Sequence, residues 1–240
     1  MSDLSQRCVA CIVGARPNFM KIAPIIAELR RRPRFRARLI HTGQHFSPEM
    51  SEAFFRDLRL PEPDESFGVE AGTQTEQTAA IMRSLEESFV ATRPDLVLVV
   101  GDVTSTLAAA LVAPKLHIPL AHVEAGLRSF DRSMPEEINR LVTDALSDYL
   151  FVSEPSGVRN LGAEGVPVDK IFFVGNVMID TLLRFRERAM QSDALDRFGT
   201  RLEQRYTAEQ VRRMMQNAGL EGIAFSSAPP YWCAVGFKRG

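Results

Sequence analysis

The chain has 240 residues, of which 45% are hydrophobic, and its 29 basic and 30 acidic side chains leave a net charge of −1. This length predicts one large domain or two small ones, with enough apolar residues for a full core. The near-neutral charge argues against nucleic acid or an acidic membrane as a partner, and no apolar run approaches the ~18 residues of a membrane span.

Cysteine usage and the amino terminus predict a cytoplasmic location. The first residues lack the apolar run and cleavage site of a secretory signal, and three cysteines do not suggest a disulfide framework. Cys8 and Cys11 form a C-x-x-C, but the pair lies inside a predicted strand and no second Cys or His pair completes a zinc site. We interpret both as small apolar strand residues, and we predict no metal.

Strands and helices alternate along the first three quarters of the chain. The predicted strands are Cys8–Val13, Ala37–His41, Leu96–Val100, Pro119–Val123, Tyr149–Val152 and Ile171–Val174. The predicted helices are Pro17–Arg32, a segment carrying Phe54, Phe55 and Leu58, then Thr75–Thr92, Thr104–Lys115, Glu136–Ser147 and Pro155–Gly162, while residues 60–73 read as irregular. This order predicts an α/β fold, a Rossmann-like parallel sheet with helices on both faces.

The pattern changes after Val177. Helices are predicted at Ile179–Met190, Asp196–Arg205 and Ala208–Ala218, with basic faces that read as solvated surface, and the last residues show no clear period. We therefore expect a domain at residues 1–177, followed by a helical linker and irregular tail at residues 178–240.

Acidic residues follow the predicted strands at one edge. Leu96–Val100 leads to Asp102, the next strand leads to Glu124, and Glu136 stands at a helix start. Ligands of open parallel sheets bind outside the carboxyl ends of the strands, so these carboxylates predict proton transfer, a metal or stabilisation of positive charge. A helix cap for Asp102 and a favourable helix-terminus charge for Glu136 are the structural alternatives.

The first strand-to-helix turn, GARPNFMK, can receive a phosphate. A helix amino terminus offers free N–H groups, Arg16 can form a forked contact with a phosphate, and Lys21 adds a charge one turn later. The turn is no G-x-G-x-x-G, so we predict no dinucleotide cofactor. Among the histidines, His45 is a candidate ligand contact in a strand-end loop, and His122 reads as a satisfied core residue.

The stretches GARPNFMKIAPI, HTGQH, GDVTSTLAAAL, HVEAGLRSFDRSMPEEINR and VGNVMIDTLL resemble those of non-hydrolysing UDP-N-acetylglucosamine 2-epimerases. The resemblance implies the amino-terminal half of a glycosyltransferase-B-like fold. It implies catalytic roles for Asp102, Glu124 and Glu136, and substrate contacts for Arg16, Lys21, His45 and Arg128.

The reaction that this resemblance implies interconverts UDP-GlcNAc and UDP-ManNAc for surface polysaccharide synthesis. The sugar loses its carbon-2 proton as UDP leaves carbon 1, and UDP adds back to a 2-acetamidoglucal after reprotonation. No cofactor is implied, and a homodimer is expected for a full-length form. The assignment of base and acid stays open.

Family members carry a second Rossmann-like domain, for which the residues after Leu183 are too few. We therefore expect a truncated form of doubtful activity that binds UDP-GlcNAc weakly. A hydrolysing epimerase that releases ManNAc and UDP, and a non-catalytic partner-binding domain, are the alternatives.

Overall fold

A computed structural model describes residues 6–43, 55, 58–69, 72–185, 208–218, 220–225 and 234–238. The chain divides into two compact units, Met1–Arg186 and Glu187–Gly240. No helix in the described ranges is long and apolar enough to cross a membrane.

The first unit holds a seven-stranded sheet in which every strand pair is parallel. Its strands are β1 (Arg7–Val13), β2 (Phe35–His41), β3 (Glu65–Ser66), β4 (Leu96–Val100), β5 (Leu120–Val123), β6 (Tyr149–Val152) and β7 (Ile171–Phe173), in the order β3-β2-β1-β4-β5-β6-β7. Its helices are α1 (Arg16–Arg31), α2 (Gln74–Thr92), α3 (Thr104–Val112), α4 (Pro135–Leu146), α5 (Pro155–Ala163) and α6 (177–185). The predicted α/β class and parallel sheet are confirmed.

Alternation along each strand divides the core into two layers. On β1, Val9, Cys11 and Val13 pack with the α1 residues Phe19 and Ile22 on one face of the sheet. The intervening β1 residues pack with α2 and α3 on the other face. Because both faces are covered, the central strands β1, β4 and β5 are mainly apolar rather than alternately polar. Burial of Cys11 raises the pKa of its thiol to about 12, which agrees with a purely apolar role for this residue.

The sheet contains one strand that the sequence did not predict. Glu65–Ser66 lies within the stretch expected to be irregular, and it pairs with the end of β2. A neighbouring side-chain contact fixes this pairing, because the Asp64 carboxylate accepts the Leu39 N–H at 2.8 Å. A strand of two residues has no periodicity to detect, so only the tertiary contact defines it.

The predicted boundary after Val177 lies inside the first unit. Helix α6 packs on α1, since Val177 and Phe185 join the α1 core layer and the Thr181 hydroxyl donates to the Met20 carbonyl at 2.6 Å. The part of the predicted helix Ile179–Met190 that follows Phe185 lies outside the described residues. The same is true of the helix predicted at Asp196–Arg205 and of most of the segment around Phe54.

The second unit contains a helix, α7 (Ala208–Asn217), and two strands, β8 (Leu220–Phe225) and β9 (Ala234–Lys238). The strands pair antiparallel, with an irregularity in register between Glu221 and Ala224. The helix agrees with the sequence prediction. The prediction of an irregular tail is wrong here, because the tail contains two paired strands. The sequence carries no sign of β8, since the irregularity within it leaves no clean alternation of apolar and polar residues.

Candidate active site

The turn after β1 is fixed by one side chain, that of Asn18. Its Oδ1 accepts the N–H groups of Ala15 at 3.1 Å and Gly14 at 3.4 Å, and its Nδ2 donates to the Val100 carbonyl at 2.7 Å. Asn18 therefore ties the start of α1 to the end of β4, and brings Lys21, one turn along α1, towards the acidic residues that follow β4 and β5.

The segments that follow β1, β2 and β4 meet closely at Gly14, Thr42 and Ser105. A Cβ atom on Gly14 would lie 1.9 Å from Ser105 Oγ and 2.7 Å from Thr42 Oγ1, so only glycine fits there. The Thr42 and Ser105 hydroxyls are themselves hydrogen-bonded at 2.7 Å. The ends of β1, β2 and β4 are thus held together without room for another side chain.

Lys21 and Glu124 form a buried ion pair at the centre of this edge. The Lys21 ammonium contacts Glu124 Oε2, with side chains only 13% and 9% exposed. Gly101 leaves the space for it, since a Cβ on Gly101 would be 3.0 Å from Lys21 Nζ. Glu124 itself has a φ of 71°, a strained conformation for a residue with a side chain and one that recurs at functional sites.

Asp102 is paired with a different cation, Arg140 of α4. Arg140 Nε and Nη2 both donate to Asp102 Oδ2, at 2.9 and 2.5 Å. Its Nη1 donates to Glu137 Oε2 at 3.0 Å, so the guanidinium bridges two carboxylates. The Asn139 amide also donates to the Asp102 carbonyl at 2.7 Å, which fixes the backbone as well as the side chain.

Glu137 is the residue that sequence reasoning missed. Its carboxylate, 2% exposed, accepts from the N–H and hydroxyl of Ser129 at 2.9 and 3.0 Å and from the N–H of Phe130 at 3.1 Å. Burial raises the pKa of Glu137, but the hydrogen bonds from Ser129 and Arg140 outweigh burial and lower it overall. Glu137 thereby holds the loop between β5 and α4 against the cation that orients Asp102.

The 3.6-residue period could have identified this face of α4. Glu137, Arg140 and Asp144 lie at spacings that share one helical face. That face is turned inwards, whereas Ile138 and Leu146 are 39% and 38% exposed. This face is therefore buried although it is polar, the reverse of the usual amphipathic helix, whose apolar face turns to the core.

The structure brings Lys21, Asp102 and Glu124 together at the carboxyl edge, as the sequence predicts. Glu136 lies in the first turn of α4 and is exposed, and no described residue bonds its carboxylate. The side chain of Arg16 and the whole of His45 lie outside the described residues. Helix α3 is capped by Val103, so Asp102 is no helix cap.

Arg128, predicted to contact the substrate, lies in a buried set of ion pairs. Its side chain is 1% exposed and its guanidinium lies between the carboxylates of Asp144 and Glu164, each at 2.7 Å. Burial lowers the pKa of Arg128, but these carboxylates raise it more. The group is enclosed and fully engaged, so in this structure it faces no open edge.

His122 is buried and hydrogen-bonded, as predicted. Beside it, the backbone of the turn after Glu124 lies directly against that of α5, since a Cβ on Gly126, at a φ of 79°, would lie 2.5 Å from the Gly157 carbonyl oxygen. No cluster of three or more potential metal ligands occurs among the described residues.

The arrangement can orient two carboxylates for proton transfer. In each, one oxygen is bound to a cation, Lys21 for Glu124 and Arg140 for Asp102, and the other oxygen has no partner among the described residues. A carboxylate held in this way can accept or donate a proton through its second oxygen, and can stabilise positive charge nearby.

Comparison with known proteins identifies related chains. Residues 27–213 match the family model described as UDP-N-acetylglucosamine 2-epimerase. A UDP-N-acetylglucosamine 2-epimerase homolog of Methanococcus maripaludis is 49% identical over 73% of this chain and 48% of its own length. A UDP-2,3-diacetamido-2,3-dideoxy-D-glucuronate 2-epimerase of Pseudomonas aeruginosa is 44% identical over 75% of this chain and 52% of its own. The chain thus spans about half the length of the curated relatives it matches.

Solved structures give the same result. The UDP-GlcNAc 2-epimerase of Methanocaldococcus jannaschii, crystallised with UDP-GlcNAc and UDP, superposes with a TM-score of 0.76 and 43% identity, over 80% of this chain and 52% of that one. A lipopolysaccharide outer core galactosyltransferase, 18% identical with a TM-score of 0.54, shares the fold alone. The expected glycosyltransferase-B-like relationship is confirmed at the level of fold.

Proposed function

Because the chain belongs to the UDP-N-acetylglucosamine 2-epimerase family, we propose that it supplies the carboxylate-bearing side of an active site that interconverts UDP-GlcNAc and UDP-ManNAc. The observation that carries this proposal is the pair of cation-bound carboxylates, Glu124 with Lys21 and Asp102 with Arg140, at one edge of a parallel sheet.

The proposed reaction makes use of carboxylates on more than one side of a sugar ring. The carbon-2 hydrogen is not next to a carbonyl and becomes acidic only as carbon 1 gains oxocarbenium character. A base removes this proton while the carbon 1–oxygen bond breaks, and its electron pair leaves with UDP, giving a 2-acetamidoglucal. Protonation of carbon 2 on the opposite face and return of UDP complete the inversion, so two groups on opposite faces are required.

We assign proton transfer and cation stabilisation to Asp102, Glu124 and Glu136 together. Asp102 and Glu124 each have one oxygen free of described partners. Glu136 is exposed on the first turn of α4, the helix that also carries Arg140.

We assign the leaving diphosphate to the start of α1. The helix amino terminus offers N–H groups and partial positive charge. Lys21 has three ammonium donors, of which Glu124 uses one, so the others are available to phosphate oxygens. Arg16 begins the same helix, and its predicted contact and that of His45 remain part of the proposal.

We further propose that the reaction is non-hydrolysing and takes place in the cytoplasm, where it supplies surface polysaccharide synthesis. The full-length form is proposed to be a homodimer. The motif set GARPNFMK, HVEAGLRS and MPEEINR supports the non-hydrolysing branch. A hydrolysing enzyme would release free ManNAc, which product analysis separates from UDP-ManNAc. The Pseudomonas relative makes diacetamido-glucuronate nucleotides a second substrate class to assay.

The test supplies the part of the relatives that this chain does not match. Residues 1–185 are fused to the unmatched part of the Methanocaldococcus jannaschii enzyme, and carbon-2 hydrogen exchange of UDP-GlcNAc is followed in heavy water. We expect exchange and UDP-ManNAc formation by the fusion, and neither by the 240-residue chain alone, since Arg16 and Lys21 give only part of the diphosphate contact. A well-folded fusion that binds UDP without exchange contradicts the proposal and favours a non-catalytic role.

A further inference from the structure

A network of charged side chains lies beside the candidate site and is separate from the carboxylates assigned to the reaction. His122, Asp144 and Arg128 are almost fully buried, and Arg128 leads to Glu164, which is 38% exposed. Charges are rarely buried in a protein unless they are paired and hydrogen-bonded. A structural role is therefore expected of this buried network.

Hydrogen-bond accounting fixes the protons on His122. Its Nδ1 lies 2.6 Å from Asp144 Oδ1, and its Nε2 lies 2.9 Å from the Gly101 carbonyl. A carbonyl only accepts, and Asp144 is a carboxylate that already accepts from Arg128 and from the Gly126 N–H. Although burial raises the pKa of Asp144, its bonds and charge contacts with His122 and Arg128 lower it overall, so both His122 partners are acceptors.

The charged groups that face His122 and Asp144 balance one another. With His122 protonated on both ring nitrogens, it and Arg128 carry two positive charges, which Asp144 and Glu164 match with two negative charges. His122 comes from β5, Asp144 from α4, Arg128 from the loop between them and Glu164 from the end of α5. The cluster can therefore stay buried and ionised, because no charge in it lacks a partner.

The two ends of this cluster meet the two strand ends that carry the candidate carboxylates. The Gly101 carbonyl directly precedes Asp102, and the Gly126 N–H, which donates to Asp144 Oδ2 at 3.0 Å, lies two residues after Glu124. Gly101, Glu124 and Gly126 all have positive φ values, of 68°, 71° and 79°. These turns leave the regular strand conformation and need external hydrogen bonds to hold them.

We propose that His122, protonated on both ring nitrogens, and Asp144 form an ionic clamp that sets the spacing between the Asp102 and Glu124 turns. Both are positioning residues, and Arg128 holds Asp144 rather than the substrate. The consequence for catalysis rests on the proposed function. The clamp itself is a property of the folded chain and is tested without turnover.

The first test is nitrogen-15 NMR of the 240-residue chain at neutral pH. His122 is expected to show protons on both ring nitrogens, with the exposed ring of His117 as an internal reference. A single N–H on His122 overturns the clamp, whatever the activity of the protein. This measurement needs no variant, so a failure to fold cannot obscure it.

The second test is Asp144→Asn. The amide oxygen can still accept from Gly126, but the amide nitrogen now donates to Nδ1, so His122 should lose that proton and keep the one on Nε2. We expect exchange of the Gly126 N–H to accelerate about tenfold or more, and the amide signals of Asp102 and Glu124 to shift.

Asp148→Asn is the matched control, because Asp148 accepts the Leu120 N–H at 3.0 Å at the other end of β5. It should leave His122 and both turns unchanged. If Asp144→Asn leaves the His122 protons and the Gly126 exchange as in the parent chain, the clamp is refuted; if Asp148→Asn shifts the Asp102 and Glu124 signals equally, the effect is not specific to the clamp and the inference also fails.

Discussion

The two ends of strand β4 carry the same residue type in opposite surroundings. Asp95, before the strand, accepts the Cys8 N–H at 2.7 Å and an Arg7 N–H at 2.8 Å. The side chains of Asp95 and Arg7 are 36% and 72% exposed. Asp102, after the strand, is held by Arg140 inside a connected set of ion pairs. Both aspartates tie the strand to its neighbours, but only Asp102 belongs to a network that continues to a second carboxylate.

The same contrast holds for the whole sheet. At the amino edge, the ion pair of Lys170 and Asp148 spans 3.8 Å with side chains 39% and 50% exposed, and a groove of about 410 Å³ is lined mainly by Pro114, Pro119, Leu146 and Tyr149. At the carboxyl edge, the ion pairs Lys21–Glu124 and Arg140–Glu137 are short and largely buried. Water screens the first set and not the second, so charge at the carboxyl edge has the larger energetic weight.

The largest difference is expected from removing one lysine at each edge. Lys21→Met leaves the buried Glu124 carboxylate without its cation and should lower the free energy of unfolding by about 3–5 kcal/mol. Lys170→Met, at the exposed pair, should change it by about 1 kcal/mol or less. Urea denaturation of both variants measures the two values, and equal losses would show that burial does not separate the edges.

A pH effect of about 3 kcal/mol is expected from His41, the last residue of β2. Burial lowers the pKa of His41 from 6.5 to about 4, so the unfolded chain binds a proton that the folded chain does not in that range. The contribution is fully present above pH 6.5 and is lost as the pH falls towards 4.

His41→Phe keeps the stacking on Phe19, whose ring centroid lies 5.5 Å away, and removes the titration. The difference in unfolding free energy between the variant and the parent should therefore change with pH over that range. A constant difference would show that His41 does not titrate as its burial requires.

Replacement of the three candidate catalytic carboxylates by amides is expected to slow turnover. In the fusion protein, Asp102→Asn, Glu124→Gln or Glu136→Gln should slow turnover by roughly 100-fold or more, about 2.7 kcal/mol in the barrier, with much less effect on UDP-sugar affinity. Asp148→Asn, at the other edge, should leave turnover unchanged. Near-normal turnover in all three amide variants would remove these carboxylates from the mechanism.

The smallest effect is expected at Asp95. Bonds from the Cys8 N–H and Arg7 lower the pKa of its carboxyl, but solvent screens this site. Asp95→Asn should cost about 1 kcal/mol or less in urea, and the pH dependence of stability should hardly change. A loss as large as that of Lys21→Met would erase the distinction between the edges.

Much of this organisation could be read from the sequence, because strands and their end residues leave local signals. The run Leu96–Val100 and its Gly101-Asp102 ending predict both the strand and the place of the carboxylate. Glu137 and Arg140 were not predicted, because their role depends on which face of α4 turns inwards, and here the exposed face carries the apolar Ile138 and Leu146. The enclosure of Arg128 likewise depends on Glu164, which is distant in sequence.

The contact between Gly126 and Gly157 limits which substitutions these two positions can accept. A methyl group on Gly126 would meet the Gly157 carbonyl oxygen at 2.5 Å, and one on Gly157 would meet Val152 Cγ1 at 2.6 Å and the Ala125 carbonyl at 3.0 Å. The backbone of Gly157 cannot move aside as a flexible side chain can, and a side chain on Gly157 would meet both the Val152 side chain and the Ala125 carbonyl, so both positions disfavour any larger residue. Redesign of the site around Glu124 must therefore keep these two glycines together and introduce substitutions at other positions.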